Sequence, residues 1–105
     1  VKVEIYYTST PLNEEVFKSA ASFIGAFDWE TTYVPDMSLE TYNGVNFNWC
    51  LPHICLVVTI RDKGKYFLRA SFEDCTKITI EGLSIGEPLP KKVLEALKKP
   101  QETNQ

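Results

Sequence analysis

The chain has 105 residues, 44% of them hydrophobic and 24% charged, which is enough for one core and ordinary for a globular domain. Its net charge of −3 argues against a general nucleic-acid binder, whose footprint is a basic excess or stripe. No apolar run approaches the ~20 residues that cross a bilayer, and no basic-then-apolar leader opens the sequence, so neither nucleic acid nor membrane is an expected partner.

In chain order, Val1 to Tyr7 sets Val3 and Ile5 against Lys2 and Glu4 and is rich in β-formers, which predicts a strand. Thr10 and Pro11 then fit a helix cap and first helical position. Leu12, Val16, Ala20, Phe23 and Phe27 recur every three or four residues, with Phe17 and Ile24 widening the stripe into one buried helical face. The helix is expected to close between Gly25 and Asp28. Thr31 to Val34 reads as a short β-type segment halted by Pro35.

Asp36 to Cys50 supports two readings. Met37 to Tyr42 suits a short helix, whereas Tyr42-Asn43-Gly44-Val45 is a tight-turn signal before an alternating Val45, Phe47, Trp49 strand. Irregular structure with one helical turn is the expectation. After Pro52 come a strand from His53 to Ile60, a turn at Asp62 to Lys65 and a strand from Tyr66 to Phe72. Lys77 to Ile80 continues that strand or adds another, and Gly82 breaks it. Pro88 and Pro90 precede a helix with Val93, Leu94 and Leu97 on its apolar side, stopped by Pro100. This order predicts an α/β domain over residues 1–100 with a flexible tail at 101–105. Its sheet would be mixed, with a parallel β-α-β pair, an antiparallel hairpin and a C-terminal helix.

Three pieces give the chain a resemblance to the thioredoxin and glutaredoxin family. Leu51-Pro52, followed by Ile54 to Ile60 and Asp62-Lys63-Gly64-Lys65, looks like the family's cis-proline, third strand and turn. Glu81-Gly82-Leu83-Ser84 with Val93 to Lys99 looks like its closing glycine and last helix, and Ile5 to Asn13 is similar to a glutaredoxin first strand leading into the redox motif. The resemblance implies a thioredoxin-like sheet of four to five strands. It also locates the loss of the redox pair, since Thr10 and Asn13 stand where the family holds Cys-x-x-Cys, and neither forms a thiolate. Glu14 and Glu15 would further disfavour an anion at that helix start. Tyr66 to Gly82 is longer than the family's path.

Cys50, Cys55 and Cys75 are the thiols. Cys55 lies in an apolar strand and reads as structural. Under the resemblance, Cys50 would approach the loop of Thr10 to Asn13, as a lone nucleophile or bridged to Cys75. A bridge from Cys50 to Cys55 is not expected, because five extended residues span about 16 Å against a limit of ~7 Å. An odd cysteine count without an export signal fits a reducing, cytoplasmic setting. Cys50, His53, Cys55 and Cys75 match no structural zinc spacing, and there is no phosphate loop, GxGxxG or HExxH, so no cofactor is expected. Tyr42, Phe47 and Trp49 are candidates for a protein or peptide contact or a homodimer seam. The expected function is a non-catalytic binding or protein-interaction module with Thr10, Asn13, Trp49 and Pro52 at its site. The alternative is a thiol-dependent oxidoreductase using Cys50 beside Pro52.

Overall fold

The computed structural model describes residues 14–39, 44–62 and 64–100, with Asp62 as backbone. The expected first strand, the Thr10 cap, Asn13 and the 101–105 tail lie outside the described residues. The elements run α1 (Glu14–Gly25), β1 (Asp36–Leu39), β2 (Val45–Leu51), β3 (Ile54–Asp62), β4 (Lys65–Phe72), β5 (Lys77–Ser84) and α2 (Lys91–Leu97). The five strands form one sheet in chain order, each antiparallel to the next.

This overturns the expected thioredoxin-like mixed sheet. Thr31 to Val34 forms no strand beside β3 by a crossover. Thr32 instead makes an isolated antiparallel bridge with Lys98, flanked by bonds from Tyr33 N to Leu97 O (2.9 Å) and from Lys99 N to Thr31 O (2.8 Å). The segment from Asp36 to Cys50, expected to be irregular, supplies two strands. Pro52 and His53 form the two-residue turn between β2 and β3, and no described peptide bond is cis. Gly82 does not end β5. Its φ of 75° absorbs an irregularity opposite Tyr66 to Leu68, and the strand continues to Ser84.

One face of the sheet holds the core. Val45, Phe47 and Trp49 of β2 point into it, as do Ile54, Leu56, Val58 and Ile60 of β3 and Tyr66, Leu68 and Ala70 of β4. The period-two alternation puts every second residue on the opposite face. β3, central in the sheet, has four core side chains that are each at most 1% exposed. Burying each such Val, Leu or Ile contributes roughly 1.5–3 kcal/mol.

The helices cover this face. α1 buries Val16, Ala20 and Phe23, and Phe23 lies with its ring 5.7 Å from Phe47 and 5.1 Å from Tyr66. Ser19 accepts a hydrogen bond from Gly64 N–H at 2.8 Å, fixing α1 to the β3–β4 turn. Phe17, expected on the buried face, is 59% exposed, because Val16 and Ala20 already occupy the side facing the sheet. α2 buries Val93 and Leu97 and lies towards the opposite end, where His53 Nε2 donates to Ala96 O at 2.6 Å.

Asp74, in the β4–β5 turn, ties that turn to α2. Hydrogen bonds from Thr76, then Lys92 at 3.2 Å, hold its carboxyl down at about 2. The unfolded chain therefore binds the proton more readily than the folded one. The carboxylate stabilises the fold above the usual aspartate range and loses that effect as pH falls through about 2. The gap in melting temperature between wild type and Asp74→Ala is accordingly expected to narrow between about pH 5 and about pH 2. A constant gap would show that charge plays no part there.

Candidate functional site

The second sheet face carries no described helix, and the strand register arranges it in rows. Cys50, Cys55, Ser71 and Lys77 form one row across β2 to β5; Asp36, Asn48, Val57, Arg69 and Thr79 form the next, across all five strands. Ser38, Asn46, Thr59 and Phe67 follow, and Arg61 and Lys65 lie beyond them at the end of the β3–β4 hairpin. Asn46 and Thr59 are joined by a 2.6 Å bond in which the threonine hydroxyl donates.

Around Phe67 the face sinks into a hollow of about 400 Å³ lined by Thr59, Arg61, Lys65, Phe67, Arg69, Glu81 and Gly82. Two local causes produce it. The β3–β4 register shifts between Thr59 and Asp62, and the β4–β5 register shifts between Tyr66 and Leu68. Such irregularities bend strands and re-aim side chains. Gly82 contributes bare backbone, and a Cβ placed there would meet nothing within 4 Å. The Arg69 guanidinium sits 5.5 Å from the Phe67 ring centroid, a cation–π contact that holds it over the floor. Among the described side chains, Arg61, Lys65, Arg69 and Lys77 share this face with Asp36 and Glu81, on a chain whose net charge is −3.

At the other end of the same face, Cys50 Sγ and Cys55 Sγ are 3.9 Å apart. The expectation that they stay apart fails because the chain between them is not extended: it reverses at Pro52-His53, and the two residues become directly opposed partners. Both are exposed. The hydrogen bond to Cys50, then its charge and a small desolvation, push the Cys55 thiol upward. Cys75 is also exposed and sits in the β4–β5 turn at a φ of 72°, a left-handed conformation that few non-glycine residues adopt.

The residues expected at a site are dispersed. Trp49 is 2% exposed and its indole N–H donates to Tyr33 O at 2.7 Å, so its ring is part of the core. Phe47 is likewise buried. Pro52 is exposed at the hairpin tip, Cys50 faces Cys55, and Thr10, Asn13 and Tyr42 lie outside the described residues. His53, directed at α2, takes its ring away from the thiols. Among the described residues no group of three or more His, Cys, Asp or Glu side chains is placed to hold a metal ion, and no helix is long and apolar enough to cross a membrane.

Two apolar hollows lie elsewhere. One, about 210 Å³, runs between Trp29, Val34, Met37 and Phe47; the other, about 500 Å³, separates the helices beside Phe23, Phe27, Leu89 and Leu94. Phe67 and Arg69 of the cationic hollow are site residues that the sequence reading passed over. Their signal is the alternation Lys65, Phe67, Arg69, Ser71, four outward positions containing three cations or aromatics.

Comparison of the chain with protein-family models, curated proteins and solved structures finds no match.

Proposed function

We propose that this domain is a non-catalytic binding module of the cytoplasm that receives an acidic segment of a protein partner on its uncovered sheet face. The observation that carries the reading is the hollow at Phe67, in which Arg69 is held over an aromatic floor while Lys65 and Arg61 line the same depression. Held guanidinium groups give a carboxylate two parallel donors at reduced entropic cost, which favours glutamate- and aspartate-rich ligands. A protein segment fits better than nucleic acid. The chain is acidic overall, and Phe67 is the aromatic side chain the described strands offer on this face, too few for a stacking platform. Three free exposed cysteines support the cytoplasmic setting. The placement of Cys50 as a catalytic thiol drew on the family geometry around Pro52, which the hairpin replaces.

The test is fluorescence anisotropy with a labelled oligoglutamate peptide. Saturable binding that weakens with salt is expected, with Lys65→Glu and Arg69→Glu each losing about tenfold, ~1.4 kcal/mol. Lys91→Glu, on exposed α2 surface, changes net charge equally and is expected to retain binding. Equal losses in all three variants, or no saturation, would reject the site. Tighter binding of an oligothymidine would reassign the face to nucleic acid.

A further inference from the structure

We infer that Cys50 and Cys55 form a dithiol modification site that takes a low-molecular-weight disulfide and is converted by it into an intramolecular cross-strand disulfide. The inference is independent of the acidic-segment reading, because it uses the opposite end of the sheet face and needs no partner protein.

The geometry comes from the hairpin. Leu51 and Ile54 flank a two-residue turn and are paired with each other, and Cys50 and Cys55 are the next pair outward. In a hairpin closed by two residues the flanking pair is hydrogen-bonded, and paired positions alternate along an antiparallel ladder. Cys50 and Cys55 therefore occupy the non-hydrogen-bonded type of pair. There the Cα atoms are closest, about 4.5 Å apart, inside the ~4.4–6.8 Å range that a disulfide spans. The sulfurs are already 3.9 Å apart, and the remaining approach is side-chain rotation on a fixed backbone. Both residues are exposed, so a small disulfide reaches them without unfolding. Exposed free cysteines are uncommon, since the unpaired residue usually packs as a small hydrophobe. A directly opposed pair of them is an arrangement the core does not require.

The exchange is balanced. The Cys50 thiolate attacks one sulfur of the small disulfide; that S–S bond breaks, and the departing thiolate takes up a proton. The Cys55 sulfur, having given up its own proton, then attacks the Cys50 sulfur of the mixed disulfide. The Cys50–Cys55 bond forms, and the second small thiolate leaves and is protonated. The protein's two thiols lose two electrons and two protons, and one small disulfide becomes two thiols. Cys55 is assigned the second step because its hydrogen bond to Cys50 delays its ionisation. Cys75 takes no part: it lies in the β4–β5 turn and is the strand partner of neither Cys50 nor Cys55.

The sequence makes the product easy to read. Residues 19–61 contain no lysine or arginine before Arg61, so trypsin leaves Cys50 and Cys55 in one peptide and Cys75 in another. The full chain is incubated with excess oxidised glutathione and measured by intact mass, then by tryptic mapping without reduction. In wild type the tryptic peptide holding Cys50 and Cys55 is expected to lose two hydrogen atoms and to carry the cross-link within it, while Cys75, a lone exposed thiol that itself takes up glutathione, is read on its separate peptide. Cys75→Ser should form the same cross-link. Cys55→Ser, unable to resolve the mixed disulfide, should accumulate a stable glutathione adduct at Cys50. A persistent adduct on wild-type Cys50 or Cys55, failure to react, or a link joining two tryptic peptides would overturn the inference. Oligoglutamate binding is measured separately on Cys50→Ser, which keeps the failure of this proposal distinct from that of the binding reading.

Discussion

Replacing Trp49 by alanine is expected to destabilise the domain by about 3–5 kcal/mol, the range for truncating a large aromatic ring in a packed core. The indole is 2% exposed and lies 6.1 Å from the Phe27 ring, so the cavity opens where β2 meets the segment after α1. Its N–H also donates to Tyr33 O at 2.7 Å, and Tyr33 N in turn donates to Leu97 O. Trp49 thereby links the sheet to the connector, and the connector holds the end of α2. Trp49→Phe separates the two contributions. It retains much of the buried ring but leaves the Tyr33 carbonyl without its donor, for which about 1–3 kcal/mol is expected. Urea unfolding with an unchanged denaturant slope is the measurement. A loss below about 1 kcal/mol for Trp49→Ala would mean that this junction does not hold the fold together.

How far the sequence discloses this structure depends on where each segment's pairing information lies. The run from Ile54 to Ile60 and the turn around Gly64 are local signals, and they lead directly to β3 and β4. The helical stripe of Val16, Ala20 and Phe23 is local too, as is the Val93 and Leu97 face of α2. The partner of a strand is not local. Thr31 to Val34 has β-formers next to a helix, which suggests a crossover, but its pairing partner is Lys98, far along the chain. Val45, Phe47 and Trp49 show the correct alternation, and the turn at Pro52-His53 makes them the antiparallel neighbour of β3. Reading Pro52 through a family resemblance obscured that, because a proline fixes φ equally well at the first position of a tight turn. The same turn explains the thiols: an extended-chain distance ceases to apply once the direction reverses between the two residues. The cationic hollow was legible in part. Arg61, Lys63 and Lys65 lie close together in the sequence and on their own read as solvated surface, whereas Arg69 and Phe67 join Arg61 and Lys65 only once the β3–β4 register places Thr59 opposite Phe67.

Val93→Asp is expected to abolish cooperative folding near neutral pH. Val93 is 0% exposed on α2's buried side, within the apolar core cluster that includes Leu89 and Leu97. An ionised carboxylate there is desolvated without a partner, a penalty of several kcal/mol set against a total stability that is typically ~5–15 kcal/mol. The loss extends beyond α2. His53 donates to Ala96 O, Lys92 lies 4.6 Å from the Phe72 ring centroid, and Tyr33 N donates to Leu97 O, so releasing the helix also frees both turns at that end of the sheet and the connector. Glu95→Ala, on the exposed side of the same helix, provides the control and should change stability by less than about 0.5 kcal/mol. The pH dependence distinguishes charge from shape. Burial raises the new carboxyl's folded pKa above its unfolded value, so the folded state binds the proton more tightly and the variant's deficit relative to wild type shrinks as pH falls. Circular dichroism melts of both proteins at matched pH would show this. A deficit that stays the same down to about pH 3 would attribute the damage to lost packing around α2 instead of buried charge.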